Sequence, residues 1–336
     1  MGSIYTPSYG IGREGPDSLR RSPLRDFRFG FSVLGIRSRK ELVEQCRAAE
    51  RYGFDIVLAA DHLGMPAPFP VLTAAADATT RLRVGTFVLN TALWNPHVLA
   101  REIATVDRLT GGRLEVGLGA GYVRWENEEA GIGWDRFTTR TDRLQATIDE
   151  LSRLFGGQGY EQQRSLREML DLPILAPLQS RGFGGLGPPL LVGGTGDTVL
   201  ELAARQADIV SISGTHQIKG SPLGAVRLGT ARETQERARF VRQAAGDRFP
   251  GMDLNTIVQL VLVTADRRAA AEKLVSTQLR TLTVDEALET PHLLIGTEDQ
   301  IADQLHERRE QYGFNYFTVQ EPFMHALGPV VERLQG

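Results

Sequence analysis

The apolar residues of this chain alternate between two spacings. Short runs at 27–34 (FRFGFSVL), 55–59 (DIVLA), 114–118 (LEVGL), 189–192 (PLLV), 208–212 (DIVSI) and 316–319 (YFTV) have the length of buried strands. Longer stretches between them repeat at helical spacing. In 97–109, Val98, Leu99, Ile103, Val106 and Leu109 recur on one stripe. Helix signals agree with the spacing: Ser38 followed by Glu41 is a capping-box pattern, and Gly53 and the Gly111-Gly112 pair stop the helices before them. A strand through Val84, Thr86 and Val88 ends in a polar-aromatic bend at Asn90, Thr91, Trp94, Asn95 and Pro96. Residues 81–122 therefore read as a β-α-β crossover with parallel strands. The same pattern predicts helices at 68–76, 140–154, 198–206, 232–245, 267–275, 298–312 and 324–334, and a seventh strand over 254–262.

Eight β-α units in one chain predict a closed (β/α)8 barrel. The rival is a doubly wound Rossmann sheet. Its glycine fingerprint almost appears at Gly117-Leu118-Gly119-Ala120-Gly121, but the last glycine falls on Tyr122, and the alternation runs well beyond one dinucleotide domain. The predicted organisation is a flexible arm over 1–26 and a single barrel domain over 27–336, with insertions at about 156–187 and 283–296. Both insertions are expected to face the substrate.

Composition narrows the function classes. The net charge of −3 gives no basic footprint for nucleic acid. No apolar run approaches the ~20 residues of a membrane span, and the arm has no apolar core of a secretory signal, so the expected place is the cytoplasm. The single cysteine, Cys46, reads as a buried thiol in a helix. No H-x-x-x-H or C-x-x-C spacing suggests zinc, no metal site is expected, and no G-x-S-x-G elbow is present. The acidic run 126–129 reads as a solvated face.

The unusual residues collect after the strand ends, where parallel α/β folds bind ligands. Asp61 and His62 follow strand two, and a histidine there either moves a proton near neutral pH or caps the next helix. Asn90, Thr91 and Trp94 follow strand three, at a bend able to press against a flat cofactor. Gly119, Ala120 and Gly121 let backbone approach a ligand after strand four, with Tyr122 behind them. Gly193, Gly194 and Thr195 after strand five form either a phosphate-holding turn at a helix N-terminus or a plain glycine turn. Ser211, Ser213 and Gly214 after strand six would complete it, with Lys219 near an anionic tail.

Several stretches together carry a family resemblance: AAERYGFD (48–55), ADH (60–62), RLRVGTFVLN (81–90), 95–122, PLLVGGTG (189–196), RQADIVSISG (205–214) and 291–305. Over about 27–334 the chain resembles the bacterial luciferase-like superfamily, and within it the coenzyme F420-dependent oxidoreductases. The resemblance implies a barrel with a deazaflavin or flavin at its mouth and a non-proline cis peptide in Asn90-Thr91 or a neighbour, beneath the ring. It gives His62 the place of the histidine that acts at the ring in the sugar-phosphate dehydrogenase branch. Pro66 stands where that branch has a tryptophan, and Tyr122 where it has an acid.

The catalytic candidates are thus His62, Tyr122 and Trp94. The cofactor candidates are Asp61, His62, Asn90, Thr91, Gly119, Ala120, Gly121, Gly193, Gly194, Thr195, Ser213 and Gly214. The implied activity is F420-dependent hydride transfer with a small organic substrate. The alternatives are an FMN-dependent monooxygenase supplied by a separate flavin reductase, and a non-catalytic flavin-binding protein. A homodimer is expected through helix three, whose Leu99, Ile103, Val106 and Leu109 offer surplus apolar surface.

Overall fold

The computed structural model describes residues 26–157, 164–218 and 226–336. The arm, save Asp26, and Lys219 lie outside them. Eight strands form the barrel: β1 (Arg28–Val33), β2 (Ile56–Ala59), β3 (Arg83–Thr86), β4 (Leu114–Gly119), β5 (Leu190–Gly194), β6 (Ile209–Ile212), β7 (Asp253–Val258) and β8 (Tyr316–Gln320). Each pairs in parallel with the next, and β8 pairs with β1, which closes the sheet. The barrel helices are α1 (Arg39–Tyr52), α2 (Pro68–Ala78), α3 (Pro96–Leu109), α4 (Phe137–Phe155), α5 (Asp197–Gln206), α6 (Ala231–Ala245), α7 (Glu298–Tyr312) and α8 (Met324–Gln335).

Local chemistry sets many of the boundaries. The Ser38 hydroxyl accepts from Glu41 N at the start of α1, and Gly53 ends it in the left-handed region at φ 89°. The Asn95 side chain accepts from His97 N and Val98 N to cap α3. Cys46 is fully buried, and burial pushes its thiol up to about 12, so it is inert packing.

The barrel is plugged from below. Arg28 reaches Glu115 at 2.7 Å and Asp253 at 2.6 Å, and Arg83 reaches Glu115 at 2.5 Å. Above this layer Ile56, Leu58, Leu191, Ile209 and Tyr316 fill the interior. Among the described residues this layer closes the N-terminal end of the barrel interior and leaves the C-terminal ends of the strands as its open side.

Several expectations need correction. The third strand does not run through Val88: it stops at Thr86, resumes at Leu89–Asn90, and between them the Phe87-Val88 peptide is cis. The cis bond thus lies three bonds before Asn90-Thr91. The bulged backbone leans on β4, where a Cβ on Gly117 would stand 2.1 Å from Thr86 O and one on Gly119 2.6 Å from Val88 Cγ2.

The predicted strand over 254–262 is two strands. Asp253–Val258 belongs to the barrel, while Leu260–Val263 pairs with Leu293–Gly296 in a separate two-stranded sheet. The insertion at 283–296 is accordingly no open loop. With the helices Arg267–Thr277 and Val284–Glu289 it packs an apolar cluster of its own around Ala271, Leu274, Leu282, Ala287, Leu293 and Ile295.

The insertion at 156–187 does not face the substrate along 178–179. Leu178 N and Gln179 N donate to Asp107 Oδ2, and the Gln179 amide donates to Leu114 O. Asp107 ends α3 and Leu114 starts β4, so this stretch lies under the barrel, opposite the mouth. The reason is topological: chain inserted between a helix and the following strand emerges at the N-terminal face.

Finally, Leu99, Ile103 and Val106 are buried within the protomer. Among the helix-three residues of the dimer argument only Leu109 is exposed, at 67 %.

Candidate active site

The site residues read from the sequence all stand at the C-terminal ends of β2 to β6, in two groups. In the first, the Asp61 carboxylate accepts from Asn90 N at 3.1 Å and from the Trp94 indole at 2.8 Å. Burial raises its pKa, against the pull of those two bonds. Trp94 also packs edge-on against Phe69. Its only polar hydrogen is therefore used by Asp61, and its role is to hold that carboxylate and wall the site. Asn90 accepts from Ala92 N and donates to Asn127 Oδ1 at 3.2 Å. Thr91 is buried and donates to Gly119 O.

His62 has the decisive partner. Its Nδ1 lies 2.8 Å from Glu126 Oε1. The Tyr122 ring stands edge-on to the imidazole, with centroids 5.6 Å apart and planes at 87°. Tyr122 is exposed, but partial desolvation beside its neighbours and then the Glu126 carboxylate raise its pKa, so it remains a proton donor at neutral pH. The reading of 126–129 as a solvated face is thereby corrected. Glu126 and Asn127 are buried in the helix Arg124–Glu129, while Glu128 and Glu129 are exposed. The sequence carried no local signal for the pair, because Glu126 lies 64 positions from His62 and Tyr122 precedes the helix that bears the carboxylate.

The glycines divide by what would replace them. A Cβ on Gly121, at φ 71°, would meet Asn90 Oδ1 at 2.5 Å; one on Gly214 would meet the His292 ring at 1.9 Å; one on Gly194 would meet Val199 at 2.8 Å. With Gly119 these are packing glycines, and ligand approach is not needed to explain them. Ala120 is buried at the same exit. Gly193 differs, since its nearest neighbour would be Ser211 Cβ at 3.4 Å, an ordinary contact.

The second group surrounds Gly193. Thr195 Oγ1 and Ser213 Oγ are 2.7 Å apart, and Thr195 donates to Thr215 O. Gly196 caps α5, whose first residue Asp197 is engaged by Arg237. Ser211 takes no part, because its hydroxyl is buried against Asn255. Helix α4 joins the two groups: Arg140 donates to Gly121 O and stacks over Trp134, and the Phe137 ring lies 3.7 Å from a Cβ on Gly196. Beside His62 a pocket of about 280 Å³ is lined by Leu63, Met65, Phe69 and Trp94, with Asp61 and Glu102 as its acids. Among the described residues no helix is long and apolar enough to cross a membrane.

The family model for luciferase-like monooxygenases matches residues 27–291. The chain belongs to that family. Among its relatives, the F420-dependent glucose-6-phosphate dehydrogenase of Kribbella flavida is 26% identical over 301 residues, which cover 84% of this chain and 88% of that protein. The enzyme of the same name from Segniliparus rotundus is 35% identical over 125 residues, 34% of this chain and only 37% of that protein. The 5,10-methylenetetrahydromethanopterin reductase of Archaeoglobus fulgidus is 26% identical, covering 56% of this chain and 54% of that protein. Among solved structures, an F420-dependent secondary alcohol dehydrogenase superposes with a TM-score of 0.66 at 17% identity, over 92% of this chain and 98% of that one. A long-chain alkane monooxygenase gives 0.67 at 15% identity, over 93% and 91%. These two likenesses carry the barrel fold. The resemblance read from the sequence is therefore borne out, and so is the (β/α)8 barrel.

Proposed function

We propose that this chain is an oxidoreductase that uses coenzyme F420 with a small organic substrate. One observation carries the reading: a histidine held by a buried carboxylate at the open mouth of a plugged barrel, in a chain whose relatives include F420-dependent dehydrogenases. The residues present fit such a cofactor. Gly193 leaves room at the β5 exit, the Thr195 and Ser213 hydroxyls converge beside it, and the N-terminus of α5 follows. The helix N-terminus suits a phosphate, and the two hydroxyls, which donate to Thr215 O and to each other, would turn to meet it. Asp61, Asn90 and Thr91 brace the backbone on which the ring would rest. When bound, the deazaflavin supplies hydride acceptance or donation. The chain's own part is to orient the ring, exclude water and exchange a proton at His62.

The FMN-dependent monooxygenase remains the second reading, favoured by the alkane monooxygenase likeness in fold; it would need a separate flavin reductase. Thermal unfolding with each cofactor separates the two. A ligand at 100 times its dissociation constant adds ~2.7 kcal/mol. F420 is expected to raise the melting temperature of the wild type more than FMN does. Gly193→Ala, which the fold accommodates, is expected to melt normally alone and lose most of the F420 shift. Stabilisation by FMN alone would overturn the assignment, and an unaltered shift in Gly193→Ala would move the phosphate elsewhere.

The reading extends to a cytoplasmic homodimer. Its support is now narrower, resting on Val98 and Leu109 exposed on α3. Sedimentation at micromolar protein checks it: a single species near 37.0 kDa would remove the dimer.

A further inference from the structure

We propose that Glu126 is a positioning residue for His62: its carboxylate keeps the imidazole hydrogen on Nδ1 and leaves Nε2 as the nitrogen that meets a ligand. This rests on the reading of His62 as the group that exchanges a proton at the site. Glu126 is 2 % exposed, whereas a quarter of the His62 side chain faces solvent. A carboxylate accepts, so the hydrogen of the 2.8 Å contact lies on Nδ1. Without such a partner a neutral imidazole prefers its hydrogen on Nε2, where it blocks proton uptake from a substrate hydroxyl.

The ring is held along two directions, by Glu126 at Nδ1 and by the Tyr122 ring edge-on to it. The other acids nearby are differently placed. Asp61 is engaged by Asn90 N and Trp94, and Glu102 lies on α3 at the pocket wall. A proton taken up at Nε2 leaves the ring cationic, and Glu126 compensates that charge. The carboxylate of the site thus comes from the helix Arg124–Glu129, four residues after Tyr122, and acts through the histidine.

The test has a readout that needs no cofactor. In protein with nitrogen-15-labelled histidine, and with His62→Gln assigning the signal, magnetic resonance reports the tautomer of His62. The wild type should carry hydrogen on Nδ1, and Glu126→Leu should shift the population toward Nε2. In the same variant kcat should fall roughly 10–100-fold, the size of loss seen when the carboxylate partner of a metal-bound histidine is removed, with KM near wild type. A folded Glu126→Leu with wild-type tautomer and kcat would overturn the proposal. Should that variant not fold, the isosteric Glu126→Gln decides: reduced kcat supports the charge role, and wild-type kcat overturns it. A tautomer response in a protein that turns over with neither F420 nor FMN would uphold the pairing and remove the functional reading instead.

Discussion

Replacing His62 by alanine is expected to lower turnover by roughly 10²–10⁴-fold, the usual contribution of a positioned general acid or base. Cofactor affinity is expected to change far less. The proposed phosphate seat is at β5 and β6, and the bend at Asn90 and Thr91 is braced by Asp61, none of which needs the imidazole. The substitution also leaves Glu126 without its partner. A buried group in that condition costs about 1–3 kcal/mol, so the variant should melt lower than wild type while keeping its barrel. His62→Gln keeps a polar group beside Glu126 and separates the two effects: stability should recover while turnover does not. Single-turnover measurements and cofactor titration on both variants check this. Turnover near wild type in His62→Ala would reduce the histidine to a structural partner of Glu126.

The second large effect is acid destabilisation through His292. This side chain is fully buried between β7 and α6, with Nε2 3.0 Å from Thr234 Oγ1 and Nδ1 3.2 Å from Thr256 Oγ1 and Ile257 O. Burial pushes it down to about 4. The charges of Arg308 and His216 act in the same direction, and the Ile257 carbonyl opposes them. The folded pKa lies below the unfolded value, so the neutral ring contributes stability that is present above about pH 6.5. That contribution is lost as pH falls from there toward 4. At ~1.4 kcal/mol per pKa unit the loss is about 3 kcal/mol, a large part of the usual 5–15 kcal/mol net stability. Carboxylates titrate over the lower part of this range too, so the comparison is between wild type and His292→Gln. Urea unfolding at pH 7 and 4.5 is expected to show a steeper loss in the wild type. Parallel losses would remove His292 from the account. The site should feel this titration, because the ring occupies the space left by Gly214, next to Ser213. Cofactor affinity is therefore expected to weaken over the same window.

Much of the scaffold was legible because its causes are local. Ser38, Asn95, Gly53 and the glycine pair 111–112 act on backbone groups within four residues. Periodicity reports burial within one element, so the alternation of β and α units led directly to the closed barrel. The same logic brought the site residues to the right end of the strands. It misjudged segments whose fate depends on what lies across space. Leu99, Ile103 and Val106 looked like surplus surface until the barrel covered them. Residues 254–262 read as one strand because both halves are apolar, yet Leu260–Val263 turns aside to pair with Leu293–Gly296.

The sequence by itself determined the order of elements, the barrel class and the end of the barrel that carries chemistry. Each follows from interactions between near neighbours or from the handedness of a parallel crossover. The tertiary structure alone decided which polar residues meet. His62 and Glu126 are 64 positions apart, and Arg28 and Asp253 are 225 apart. Neither pair has a local signature, because the contact exists only once strand register and barrel closure bring β2 beside the β4 exit and β1 near β7. The same closure separated the glycines, showing Gly119, Gly121, Gly194 and Gly214 pressed by neighbours and Gly193 in only ordinary contact with Ser211.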